Sequence, residues 1–173
     1  MDEHATHVEQ WRKLPEARRR AWSGFLVAHA AITRELDAEL ERASGLSLRD
    51  YDVLVRLGQA AEGGLRMHEL ADAVRFSRSG LTRLAERLEH LGLVRRRKGV
   101  RNSRMVFAVI TELGLERLAE ATPDHLKGVR ERFLDLLSDE ESEQMAGIWD
   151  RLLAAEALRR EAGEPKGPFL QAG

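Results

Sequence analysis

LRMHELADAVRFSRSGLTRLAERLEHLGLVRRRKGVRNSRMVFAVI, residues Leu65 to Ile110, is the stretch from which the rest of the chain is read. Leu70, Ala71 and Val74, and then Leu81, Leu84, Ala85, Leu88 and Leu91, recur at helical spacing. They predict a short helix over about His68–Val74 and a second helix that Gly92 stops. Phe76-Ser77-Arg78-Ser79-Gly80 makes the turn between them, with Ser77 placed to cap the second helix. Leu93–Lys98 and Arg104–Ile110 read as extended, the latter β-branched and aromatic, with Gly99–Ser103 as the joining loop. Between Arg75 and Arg104 ten cations face only Glu86 and Glu89, a net of +8, whereas the whole chain carries −1. Positive charge concentrated in this way points to a polyanion, and nucleic acid is the first candidate.

Working outward, the flanks are helical. Trp22, Phe25, Leu26, His29, Ile32, Leu36 and Leu40 share one face of a long helix from Glu16 to Arg42, which Ser44-Gly45 ends. Ser47-Leu-Arg-Asp50 has the form of a capping box and opens a helix to about Gln59 that buries Tyr51, Leu54, Val55 and Leu57 or Gly58. The helix beginning near His68 lacks a Ser, Thr, Asp or Asn cap. Thr111 caps a helix running toward Leu137, and Pro123 predicts a kink or break near Ala121-Thr122. Ser138-Asp-Glu-Glu141 is a further capping box, opening a last helix to about Arg160 that presents Met145, Ile148, Trp149, Leu152 and Leu153. The fold class is mainly α with a small β-hairpin.

Composition sets outer limits. At 173 residues the chain fits one domain with extensions. Residues 1–15 read as a flexible polar tail and residues 161–173, AGEPKGPFLQAG with its lead residue, as a disordered one. Without cysteine there is no disulfide, thiolate metal site or thiol switch. No window approaches the roughly 20 apolar residues of a membrane span, and the polar start lacks a signal-peptide core, so the cytoplasm is the expected location. His4 and His7, three apart, are read as solvated; no metal and no cofactor is expected. No P-loop, H-E-x-x-H, G-x-S-x-G or dinucleotide fingerprint is present, which argues against an enzyme.

Two helices joined by a short turn form a helix-turn-helix, and a hairpin directly after them makes it a winged helix. The second helix fits a major groove about 12 Å wide, and Arg on the hairpin suits the narrow minor groove beside it. LSLRDYDVLVRL, MHELADAV, SRSGLTRLAERLEHLGLVRRR and NSRMVFAVITELGLERL together resemble the MarR family of bacterial transcriptional regulators, over roughly Trp22 to Leu153. The last segment matches a wing signature of Asp-x-Arg followed by a strand ending in Leu-Thr-x-x-Gly. Arg104 falls on the signature's Arg, which implies a wing-tip DNA contact. Asn102 stands in place of the Asp and accepts a hydrogen bond without charge assistance. His68 stands where members often carry Ser or Thr.

The resemblance implies a winged-helix domain over residues 16–160. Residues 44–110 form its DNA-binding lobe, and residues 16–43 and 111–160 its dimerisation helices. On the recognition helix Ser77, Arg78, Ser79, Thr82, Arg83 and Arg87 are the candidates. Arg78 or Arg83 can grip guanine, and the serines suit phosphate. On the wing they are Arg95, Arg96, Arg97, Lys98, Arg101, Asn102 and Arg104. The competing reading is a solvated helix face, its arginines paired with Glu86 or Glu89, beside an edge strand protected by charge. Five hairpin cations without an acid exceed what protection requires.

Phe133, Leu137, Ile148, Trp149 and Leu152 are expected to dimerise with a second copy, against the alternative of one larger monomeric core. A two-fold dimer predicts a palindromic operator with half-sites about 34–36 Å apart on double-stranded DNA. The resemblance also implies an effector pocket, with Trp22, His29, Tyr51 and Asp52 as candidates for an aromatic or phenolic ligand. The lack of cysteine argues against the family's peroxide-sensing branch. The function expected is a homodimeric DNA-binding transcriptional regulator, a repressor released by a small ligand. The alternative is a winged-helix protein–protein interaction module that binds no DNA.

Overall fold

A computed structural model describes residues 9–60, 64–99 and 105–161. His4, His7, Arg101, Asn102, Arg104, most of the 1–15 tail and residues 162–173 lie outside the described residues. Residues 9–13, expected to be part of a flexible tail, form a turn of helix ahead of Pro15.

Helix α1, Glu16–Ser44, begins directly after Pro15, whose fixed φ suits the position preceding a first helical turn. It ends at Gly45, which takes the left-handed conformation (φ 69°) and donates its N–H to the Glu41 carbonyl. At 29 residues it is about 43 Å long. Helix α2, Leu48–Gly58, opens on the Ser47/Asp50 capping box. Its buried face is Tyr51, Val53, Leu54 and Leu57; Val53 is inside where periodicity placed Val55, which is only partly covered. Helix α3, Met67–Ala73, is capped from the other direction: Glu69 accepts the Arg66 N–H at 3.0 Å, so a Glu at the third position does what no Ser or Asp was available to do.

Helix α4, Arg78–His90, the expected recognition helix, starts at Ser77, whose hydroxyl accepts the Gly80 N–H at 3.0 Å. Between α3 and α4, Arg75 sits at φ +58°. Leu81, Ala85 and Leu88 are buried, but Leu91, expected inside, is 47% exposed because the helix has already ended at His90.

The expected hairpin is present as β2, Val94–Lys98, and β3, Val106–Ile110. The sheet has a third strand that sequence did not show. Leu65–Arg66, β1, pairs antiparallel with β3, Leu65 opposite Ala108 and Arg66 opposite Phe107. The order is β1-β3-β2, so β3 is central. Leu40, Leu46, Leu54, Leu70, Leu81, Leu88, Leu93, Val94 and Ala108 close one core under this sheet.

Helix α5, Glu112–Arg132, runs without a break through Pro123. The proline removes one N–H, yet both halves of the helix are fastened independently of that bond. Thr122 donates to the Leu118 carbonyl at 2.7 Å and lies 3.2 Å from the Tyr51 hydroxyl. Beyond the proline, Gly128 packs so closely on α1 that an added Cβ would fall 2.9 Å from Leu36. The buried residues of α5 are Gly114, Ala121 and Gly128, one heptad apart, and none of them is large. The helix stops earlier than expected, at Arg132, which pairs with Glu39 of α1. Phe133 is non-helical, Leu134–Leu136 form a 3-10 turn, and α6, Asp139–Glu161, follows its Ser138/Glu141 capping box.

Candidate nucleic-acid interface

The first turns of α4 offer a polar face. Ser77, Arg78, Ser79, Thr82 and Arg83 are all exposed. The Ser77 and Ser79 hydroxyls lie 3.3 Å apart, and Thr82 donates to the Arg78 carbonyl at 2.9 Å, which leaves its oxygen free to accept. Arg78 and Thr82 form one wall of a cleft of about 580 Å³. Arg66, Met67 and His68 from the start of α3 form another, and Arg96, Met105 and Val106 of the wing a third. Arg66 and His68 had no place in the site read from sequence. The signal lay in their position immediately before and at the start of a helix that leads into the recognition helix.

The wing cations divide into two kinds. Arg95 and Lys98 are exposed. Arg97 lies over the Phe107 ring at 5.2 Å, and Arg66 over the same ring at 6.0 Å; the register puts both opposite Phe107, one on each neighbouring strand. Arg96 is different. It donates its backbone N–H to Glu89 at 3.1 Å and its Nε at 2.7 Å, and lies 3.5 Å from Glu86. The Arg96 side-chain hydrogen bond is the main reason the Glu89 carboxyl is held below its usual range, and Glu89 in turn raises the Arg96 guanidinium. The expectation of hairpin cations without an acid therefore fails at Arg96. Its guanidinium clamps the wing to the recognition helix.

Arg87 is also committed, though not to the neighbours expected. Its guanidinium meets the carboxylate of Asp50, which is wholly buried at the start of α2, and lies 3.4 Å from Ser47 Oγ. Sequence showed Asp50 only as a cap; its second partner lies 37 residues away.

The four effector candidates do not meet in one cavity. Tyr51 and Asp52 line a cavity of about 440 Å³ with Arg49, Arg75, Phe76 and His125. The His125 ring lies 4.3 Å from that of Tyr51, its Nδ1 is buried without a partner, and burial lowers its pKa. His29 lines a separate, apolar cavity of about 550 Å³ between α1 and α6, with Phe25, Ile32, Phe133, Ile148 and Trp149. The Trp22 ring lies 6.1 Å from that of Phe25, tilted by 36°.

The arrangement of a capped recognition helix, a preceding short helix and a clamped wing has close parallels. A profile of the MarR family matches residues 44–105. AbsC, a MarR family transcriptional regulator from Streptomyces coelicolor, is 34% identical, covering 84% of this chain and 97% of its own, with a TM-score of 0.78. The chain belongs to the MarR family. A second family regulator from Streptomyces coelicolor, solved in complex with DNA, is 32% identical over 82% of this chain and 88% of its own, also at a TM-score of 0.78. The transcriptional repressor MprA of Escherichia coli K12 is 25% identical over 99% of both chains. The profile match spans the lobe of this MarR-family chain, from the end of α1 to the start of β3. The likeness to AbsC takes in flanking helices as well. Among the described residues no helix is long and apolar enough to cross a membrane, and no cluster of metal-ligating side chains occurs.

Proposed function

We propose that this MarR-family chain is a DNA-binding transcriptional regulator that acts as a homodimer, a cytoplasmic repressor released by a small ligand, with no catalytic role. The observation that carries the reading is the single basic cleft on which the start of α3, the start of α4 and the wing converge. Ser77, Arg78, Ser79, Thr82 and Arg83 would meet base edges and phosphates in the major groove. Arg95, Arg97 and Lys98, with Arg101, Asn102 and Arg104, would hold the backbone and minor groove. Residues 44–110 would be the reading lobe, and 16–43 and 111–160 the helices that assemble two lobes.

Assembly is supported by apolar surface left open on α1 and α6. Trp22, Phe25 and Leu26 are about two-fifths exposed, and Ile148, Leu152 and Leu153 between 44% and 56%. Phe133, Leu137, Ile148, Trp149 and Leu152 border this face and would be covered by the second copy. For the effector, the cavity at Tyr51 and Asp52 suits an aromatic anion better than the apolar one at His29. It offers Arg49 and Arg75 for charge and the unpartnered His125 nitrogen for a hydrogen bond.

Fluorescence anisotropy against selected and unrelated duplexes at two salt concentrations tests the reading. Binding whose logarithm falls steeply with the logarithm of salt is expected, and selection from a randomised pool should return a palindrome. No binding at low salt would overturn it in favour of a protein–protein module.

A further inference from the structure

Arg87 belongs to the recognition helix, yet its guanidinium is turned toward α2. Its partner, Asp50, is 0% exposed and gives one oxygen to three donors. Oδ2 accepts the Ser47 N–H at 2.8 Å, the Ser47 hydroxyl at 2.6 Å and the Arg87 guanidinium; Oδ1 is buried without a partner. A carboxylate this deep requires a cation held in place, and Arg87 is the cation paired with it among the described residues. The pair therefore links the first turn of α2 to the last turn of α4.

The link has a geometric effect on reading. Leu81, Ala85 and Leu88 press α4 onto the core, but apolar packing alone tolerates small rotations about the helix axis. On a helix about 10–12 Å across, a rotation of about 20° carries a side-chain tip about 2 Å. That exceeds the tolerance of a hydrogen bond to a base edge. Arg96, clamped by Glu89 and Glu86, restrains the same helix from the wing side. Three ion pairs to α4, two through Arg96 and one through Arg87, fix its rotation, and the Asp50–Arg87 pair is the one anchored in the core.

We propose that Arg87, held by Asp50, is a positioning residue for sequence reading. It sets the rotation of the recognition helix and makes no phosphate contact of its own. This rests on the DNA-binding reading above, and the two can fail separately.

The test compares the full-length wild type with Arg87→Gln, Asp50→Asn and the double variant. Binding to the selected site and to an unrelated duplex is titrated at several salt concentrations, with a thermal melt of each protein. Each single variant is expected to lose about tenfold or more in the ratio of specific to non-specific affinity. The salt slope of non-specific binding should stay unchanged, and the double variant should be no worse than either single one. A phosphate contact at Arg87 would instead lower the slope by about 0.9 and weaken both duplexes alike, which overturns the proposal. So does a folded Asp50→Asn with the wild-type specificity ratio. If Asp50→Asn does not fold, Asp50→Asn/Arg87→Met, which removes the buried charge together with its partner, carries the test. A wild-type ratio in that protein overturns the proposal, and a reduced ratio at constant slope supports it. A wild type that binds no DNA overturns both readings; a wild type that binds normally, with unaffected variants, overturns this one alone.

Discussion

The lobe from Ser44 to Ile110 and the helices that flank it are built on opposite terms. In the lobe, apolar side chains close on one another, and each described helix start has its cap. In the flanks, α1 buries only Leu36 and Leu40 out of 29 residues, and the large apolar residues of α6 face outward or lie at the edge of an open apolar cavity. Local hydrogen bonds and a closed core, to which Leu40 of α1 and Ala121 of α5 also contribute, hold the lobe together within one chain. α5 packs on α1, but the faces of α1 at Trp22, Phe25 and Leu26 and of α6 at Ile148, Leu152 and Leu153 stay open, which is what half of an interface looks like.

The largest expected effect would break that contrast at the open end. Ile148→Glu combined with Leu152→Glu places two charges where a second copy would sit. Sedimentation should show monomers where the wild type gives dimers, with at least about a hundredfold loss of self-affinity, while the helical circular dichroism of the lobe persists. An unchanged dimer would locate the interface elsewhere. Next comes a break at the closed end. Leu88 is 0% exposed, and Leu88→Ala should cost about 2–5 kcal/mol in chemical denaturation without altering self-affinity.

A smaller effect sharpens the boundary between the two regions, where His125 of α5 meets Tyr51 of α2. Burial lowers the His125 pKa, so the folded protein resists a proton that the unfolded chain takes up near its ordinary value of about 6.5. That contribution to stability is complete above about pH 6.5 and is lost as pH falls toward the depressed folded value. Melting temperature should drop over this range in the wild type, and less steeply in His125→Phe; parallel curves would exclude His125 as the cause. The smallest effect is local to the lobe. Arg75 holds a left-handed conformation that a side chain disfavours, so Arg75→Gly should leave stability unchanged or raise it by about 0.5 kcal/mol, read from denaturant midpoints.

What could be read from sequence was mostly what is settled within four residues. The caps at Ser47, Ser77, Thr111 and Ser138 are each a side chain three positions from its donor, and all four form. The two strands of the wing and the inward faces of α3 and α4 followed from periodicity. What escaped was decided between elements distant in sequence. Two residues, Leu65–Arg66, carry no period, so β1 exists only because β3 offers it an edge. The buried residues of α5 are Gly114, against Leu93 and Ile110, Ala121, and Gly128, against Leu36 of α1, and a search for large apolar residues passes over all three. Pro123 failed to break α5 because packing on both sides outweighed one lost hydrogen bond. In the candidate site, residue identity was legible but commitment was not. Arg83 and Arg87 look alike in sequence, yet the latter has Asp50 beneath it, and Arg96 differs from Arg95 through Glu89 and Glu86.

The placement of the aromatic residues has an optical consequence. All three tryptophans, Trp11, Trp22 and Trp149, lie outside the 44–110 lobe, and the one tyrosine, Tyr51, lies inside it beside the cavity. Trp22 and Phe25, and Phe25 and Trp149, are close enough to share the environment of the open apolar face. The chain thus carries its brightest natural fluorophores at the end that would assemble and none on the surface that would meet nucleic acid. Tryptophan emission is a label-free gauge of self-association, and adding nucleic acid should leave it unaltered unless the two ends of the molecule are mechanically connected.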